Sequence, residues 1–147
     1  MSITFSLISQ DRVVDEFEVD EVLLPTTLGE IGVLPNHVNL ITMIKTGEIT
    51  THSSNKTNHF SVFGGVAEIT DKTVTVMADR AEHVDSIDLA AAEAAVKAAT
   101  SLQDKAKNDV EFAHAAALLE RNLNRINVVK RHRHHSTRTH QSDNLTK

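Results

Sequence analysis

The side chains that invite chemistry in this sequence are imidazoles and carboxylates, and they gather in two places. Asp79, Glu82, His83 and Asp85 fall close enough along the chain to suggest a metal site or an acid–base pair. Arg131-His132-Arg133-His134-His135, with His140 beyond, forms the second group, and neutral imidazole is a common ligand for Zn²⁺ or Ni²⁺. The first group reads as a charged connection between a sheet and a helix. The second has no fold to fix its ligands and reads as a solvated basic tail. An anionic lipid surface suits that tail better than a metal, at about 1 kcal/mol per Lys or Arg near the surface. Arg121 and Arg125 stand four apart, with Lys130 expected near the same side, as a helix face or as a docking stripe for an acidic partner. His37, just after Pro35, reads as a loop hydrogen-bonder rather than a base. The chain has no phosphate-cradling Gly-x-x-x-x-Gly-Lys, no Gly-x-Ser-x-Gly elbow, no His-Glu-x-x-His pair and no cysteine. The expectation is a protein with no catalytic residues, no metal and no cofactor.

These groups sit on a chain of 147 residues, room for one core of ordinary size and a small appendage. Its formal charge of −5 is uneven. Residues 1–129 carry 10 Lys/Arg against 19 Asp/Glu, a balance of −9, and residues 130–147 carry 5 against 1, a balance of +4. An acidic body disfavours nucleic acid as a partner, because that binding rests on clustered cations meeting phosphates. No window approaches the ~18 apolar residues of a membrane span, and the expectation is a soluble protein without a targeting segment.

Three regions must position the side chains. From residue 1 to 84 the pattern has period two: Ile3, Phe5 and Leu7 alternate with Thr4 and Ser6, and Phe17 and Val19 with Glu16, Glu18 and Asp20. Gly29 to His37 predicts a shaped surface loop. It feeds a strand whose Leu40, Ile41, Met43 and Ile44 supply material to bury. Glu48–Thr51, Phe60–Phe63, Val66–Thr70 and Thr73–Ala78 predict further strands, with a bend at Gly64-Gly65. So many short strands imply an antiparallel β-sandwich or flattened barrel. From residue 85 to 130 the period becomes helical and alanine dominates. Ser86 or Asp88 is expected to cap a first helix running to Ala106, and Asn108 or Asp109 a second, packed as an antiparallel hairpin. Its stripes are Leu89, Ala92, Val96, Ala99 and Leu102, then Phe112, Ala115, Ala116, Leu119, Leu123 and Ile126. Residues 131–147 hold little to bury and read as disordered.

Gly29-Glu30-x-Gly32-Val33-Leu34-Pro35-x-His37, then Lys45-x-Gly47, Gly64-Gly65-Val66-x-Glu68 and Val74-x-Val76-Met77-Ala78-Asp79 resemble, in order and spacing, the epsilon subunit of F-type ATP synthases. The resemblance covers residues 3–129 and is absent from the tail. It implies a non-catalytic subunit of the central stalk. Such a subunit binds the gamma subunit and the ring of c subunits, couples proton transport to ATP synthesis, and sits peripherally at the cytoplasmic face of a bacterial cell membrane. Glu30 would face the ring, and His37 and Thr42 the gamma subunit. The hairpin would either fold down against the sandwich or extend along gamma to the alpha and beta subunits, where it would hinder ATP hydrolysis, with Arg121, Arg125 and Lys130 docking there. Some members bind ATP through Ile/Leu-Asp-x-x-Arg-Ala; here Ile87 and Asp88 match, but Ala91 stands where the arginine belongs, which implies weak or no ATP binding. The alternative is a free-standing adaptor that binds another protein or an anionic membrane through hairpin and tail.

Overall fold

A computed structural model describes residues 2–144 of the chain, with side chains through residue 132. The described residues divide into two compact units, one through His83 and one from Val84 onward. The first holds eight strands: β1 (Ile3–Ile8), β2 (Val13–Val19), β3 (Glu21–Thr26), β4 (Gly29–Val33), β5 (Leu40–Ile44), β6 (Gly47–Ser53), β7 (Lys56–Ile69) and β8 (Thr73–His83). They form a β-sandwich, and its strands run β2-β1-β8-β7-β5-β3-β4, with β6 pairing β3 and β7. All pairings are antiparallel except β1 with β8, where Phe5 lies opposite Val74 in parallel register. The expected antiparallel sandwich therefore carries one parallel pair. Parallel neighbours need a long connection, and six strands separate β1 from β8.

Strand β7 makes the sandwich possible. Its first half pairs with β6 from Gly47↔Val62 to Ser53↔Lys56, and its second half pairs with β5 from Leu40↔Ile69 to Ile44↔Gly65. The change of partner falls at Gly64 and Gly65, both at positive φ, so the predicted bend is present inside one continuous strand. Inward positions then meet. Ile3, Phe5, Leu7, Leu24, Ile49, Phe60, Ile69, Val74 and Val76 are buried in one core. Phe5, Phe17 and Phe60 pack ring against ring at 5.6–6.4 Å, and His83 meets Phe60 edge-on at 5.1 Å.

Two local expectations change. Gly29–Val33 is a strand rather than a loop, because β3 offers it a partner: Val22 faces Val33 and Leu24 faces Ile31. The loop follows at Leu34-Pro35-Asn36-His37, a type II turn in which Asn36 takes φ 65° and the His37 N–H donates to the Leu34 carbonyl at 3.2 Å. Of Leu40, Ile41, Met43 and Ile44, only Ile44 is buried.

In the second unit a short 3₁₀ turn, Val84–Ser86, precedes α1 (Leu89–Asp104) and α2 (Asp109–Asn144). Asp88 caps α1 by accepting from the Ala91 N–H at 3.1 Å. The helix ends before Ala106 because Lys105 leaves helical geometry. Asn108 caps α2, accepting from the Glu111 N–H, while the Glu111 carboxylate accepts from the Lys107 N–H. The helices pack through Ala92, Ala99 and Ala115, and a small apolar cluster joins Val84, Ile87, Val128 and Val129. Leu102, Phe112 and Leu123, expected on the buried stripes, are largely exposed. The helical backbone of α2 continues to Asn144, past the end of the apolar stripe near residue 130. The side chains after 132 lie outside the described residues, and with them the expectation of disorder for 131–147.

Candidate functional site

Side chains on one side of a sheet recur every second residue, so register decides which ones form a surface. On the outer side of β2, β1, β8, β7 and β5 the pairings Val13↔Ile8, Ile8↔Met77, Met77↔Val66 and Val66↔Met43 line up one residue from each strand. This row is apolar throughout, and at ~4.8 Å per strand it spans roughly 19 Å. It is also open to solvent: Val13 is 58% exposed, Met77 48%, Val66 37% and Met43 64%, with Ile8 half-buried. The next row, Glu16, Ser6, Thr75, Glu68 and Ile41, is mixed, and the one after it holds Glu18, Thr4 and Thr73. There Thr4 and Ser2 donate to the Glu18 carboxylate, and these hydrogen bonds, that from Thr4 first, hold its pKa below the usual carboxylate value. A single hydrophobic band thus crosses an otherwise polar face. Contiguous exposed apolar surface of this kind marks association. No sequence motif announces the row, since its members come from five strands. The nearest signal was Ile41 and Met43 flanking Thr42, apolar residues at the positions that point away from the core.

The structure separates the residues expected to work on the β unit. Glu30 is exposed on β4, the last strand of the sheet, next to a hairpin tip where Leu28 is 94% exposed. Thr26 holds that tip by donating to the Gly29 carbonyl and accepting from the Leu28 N–H. The Thr27 and Lys45 N–H groups donate to the Met43 and Pro25 carbonyls, which ties the tip to the end of β5. His37 sits at the other end, beyond Val33, and its Nδ1 lies 2.6 Å from the Val38 carbonyl oxygen. The Asn36 N–H donates to Asp71 in the β7–β8 turn. About 10 Å of strand lies between Glu30 and the end of β4, so Glu30 and His37 cannot share one small site. Thr42 pairs with the buried Ala67 and lies on the opposite side of β5 from Met43.

On α2, Arg121 and Arg125 are both half-buried on one face, and Arg125 donates to Asn122 Oδ1 at 3.0 Å. Lys130 is exposed, and at 3.6 residues per turn it lies about 140° from Arg125, so the expected three-cation stripe is a pair. Ile87 is buried beside Val128 and Val129, and Asp88 is occupied as the α1 cap. Both residues of the nucleotide motif thus have structural roles here, and Ala91 contributes only its backbone N–H. In the first carboxylate–imidazole group, His83 Nε2 lies 3.2 Å from Asn58 Oδ1. A pair the sequence did not single out crosses β6 and β7: Glu48 Oε1 lies 2.8 Å from His59 Nδ1, with the Thr50 hydroxyl 3.3 Å from the same nitrogen. Among the described residues no helix is long and apolar enough to cross a membrane.

Residues 2–84 match the family model of the ATP synthase delta/epsilon chain β-sandwich domain, and residues 85–130 match that of its long α-helix domain. The ATP synthase epsilon chain of Nitratidesulfovibrio vulgaris is 35% identical over 127 residues, covering 86% of this chain and 95% of that one. The epsilon chain of Pediococcus pentosaceus is 36% identical over 132 residues, covering 87% and 95%. Among solved structures, a chain of the Euglena gracilis mitochondrial ATP synthase superposes with a TM-score of 0.71 at 21% identity, over 84% of this chain and 78% of that one. Two family models in sequence order, together with relatives aligned over nearly their whole length, show that this chain belongs to the ATP synthase delta/epsilon chain family, among the epsilon chains.

Proposed function

We propose that the chain is a non-catalytic central-stalk subunit of an F-type ATP synthase, held at the cytoplasmic face of a bacterial cell membrane through the complex. The exposed apolar row from Val13 to Met43 carries this reading, because a contiguous apolar band across five strands is suited to permanent burial against another protein. The gamma subunit is its partner. The contact centres on Met43, Val66 and Met77 rather than on Thr42, and the exposed Val38 and Ile41 extend it along the chain towards His37. Glu30, beside the protruding Leu28, meets the polar loops of the c-ring. The β-sandwich, residues 1–84, anchors and transmits torque as proton flow turns the ring. The hairpin, residues 85–130, regulates, and Arg121 and Arg125 meet acidic segments of the alpha and beta subunits. With Asp88 spent on a cap and Ala91 lacking a cation, the isolated chain binds ATP weakly or not at all.

Co-purification with the gamma subunit, followed by ATPase assays on the reconstituted complex, tests both halves. Met43→Asp places a charge where an apolar side chain is to be buried and lowers affinity for gamma at least about tenfold, while leaving the core intact. Undiminished binding by that variant sinks the docking face. A chain ending at residue 86 keeps gamma binding and raises ATP hydrolysis. Equal hydrolysis with both chains removes the regulatory half.

A further inference from the structure

Besides Met1 the chain has two methionines, and both stand on the exposed row, one on each side of Val66. The cores of the two units hold isoleucine, leucine, valine, phenylalanine and alanine, and neither of these methionines is among their buried residues. Leucine would supply the same apolar area without an oxidisable sulfur. We infer that Met43 and Met77 form a reversible oxidation site that governs docking of the β unit. This inference rests on the reading that the row binds the gamma subunit. The oxidant is a peroxide.

The thioether lone pair of each methionine attacks one oxygen of hydrogen peroxide. A sulfur–oxygen bond forms and the O–O bond breaks. The proton on the attacked oxygen passes to the departing hydroxide, which leaves as water. Sulfur loses two electrons and the peroxide gains them. The product is methionine sulfoxide, whose oxygen is a strong hydrogen-bond acceptor and which reductases can return to the thioether. Both sulfurs lie on the open side of the sheet, two strands and about 10 Å apart, so peroxide reaches them in the undocked chain. Oxidation leaves the sandwich interior and its ladder of backbone hydrogen bonds untouched. It does place two acceptors in the middle of a band that docking must dry, where neither finds a donor among Ile8, Val13 and Val66. Once docked, the same burial shields the sulfurs. The site therefore acts on the free subunit, before assembly.

The test treats the full chain with hydrogen peroxide and locates the added oxygens by peptide mass mapping. Circular dichroism checks the fold, and affinity for the purified gamma subunit is measured before and after treatment. The expected results are oxygen on both Met43 and Met77, an unchanged spectrum, and affinity lowered at least about tenfold. Methionine sulfoxide reductase with a dithiol restores it. A chain carrying Met43→Leu and Met77→Leu, measured against its own affinity before treatment, is indifferent to peroxide. Binding that survives oxidation of both residues within twofold overturns the inference alone, as does an equal loss by the double-leucine chain after peroxide. Absence of binding by the untreated chain overturns the docking reading, and the inference falls with it.

Discussion

At position 65 a side chain has nowhere to go. Gly65 takes φ 139°, and a Cβ there would run into the Met77 carbonyl oxygen and come within 2.7 Å of Ala78 Cα, both in the β8 backbone. Strand β7 changes partners at this point, so neither neighbour can retreat without breaking the ladder that holds both layers. Gly65→Ala is therefore expected to cost about 2–4 kcal/mol, combining left-handed backbone strain with overpacking. Gly29→Ala supplies the contrast. Its φ is 122°, but nothing lies within 4 Å of the added methyl group, and only the conformational part, about 1 kcal/mol, remains. Urea unfolding followed by circular dichroism measures the two. Equal costs would mean that the close approach of β8 does not constrain residue 65.

Caps show how far a local pattern reaches at the scale of the element. Asp88 and Asn108 each accept a backbone N–H three residues on, at 3.1 and 2.9 Å, which removes one unpaired donor from each helix start. Asp88→Ala and Asn108→Ala should each cost about 1 kcal/mol, seen as lost ellipticity at 222 nm on mild heating, while Asp88→Asn restores most of it. Loss of β signal before helix signal in the alanine variants would contradict this. Both caps were legible in the sequence because capping is decided within four residues. The alternation of β1 and the bend at Gly64-Gly65 were legible for the same reason. Gly29–Val33 was not, since its strand character comes from β3, and a stretch with two glycines and a following proline looks like a loop until that partner is in place. The parallel β1–β8 pair and the apolar row depend on register between strands far apart in the chain. Only the part of the row carried by β5 left a trace, as apolar residues on both sides of one strand.

At the scale of the molecule, the two units are built from different materials, and this sets how firmly each holds together. Phe5, Phe60, Ile3, Leu7, Leu24 and Ile49 are fully buried in the β unit, where such side chains contribute roughly 1.5–3 kcal/mol each. Along the hairpin the buried contacts are mainly Ala92, Ala99 and Ala115, each a single methyl group worth about 0.8 kcal/mol. The cluster of Val84, Ile87, Val128 and Val129 fastens only the end of the hairpin nearest the β unit in sequence. Helical hydrogen bonds are local, so α1 can open without a strand leaving its ladder. The hairpin should therefore open sub-globally at a lower free energy than the sandwich, beginning at the end near Leu102, Val110 and Phe112, which are largely exposed. Native-state hydrogen exchange measures this directly. Amides of α1 should exchange faster than those of β7 and β8 by at least an order of magnitude, with a smaller dependence on denaturant because less surface is exposed. A regulatory element that must rearrange while its anchor stays bound needs this ordering of stabilities. If α1 and β7 exchange through one event of the same free energy and the same denaturant dependence, the hairpin cannot move without unfolding the sandwich, and regulation by rearrangement of these helices fails on energetic grounds.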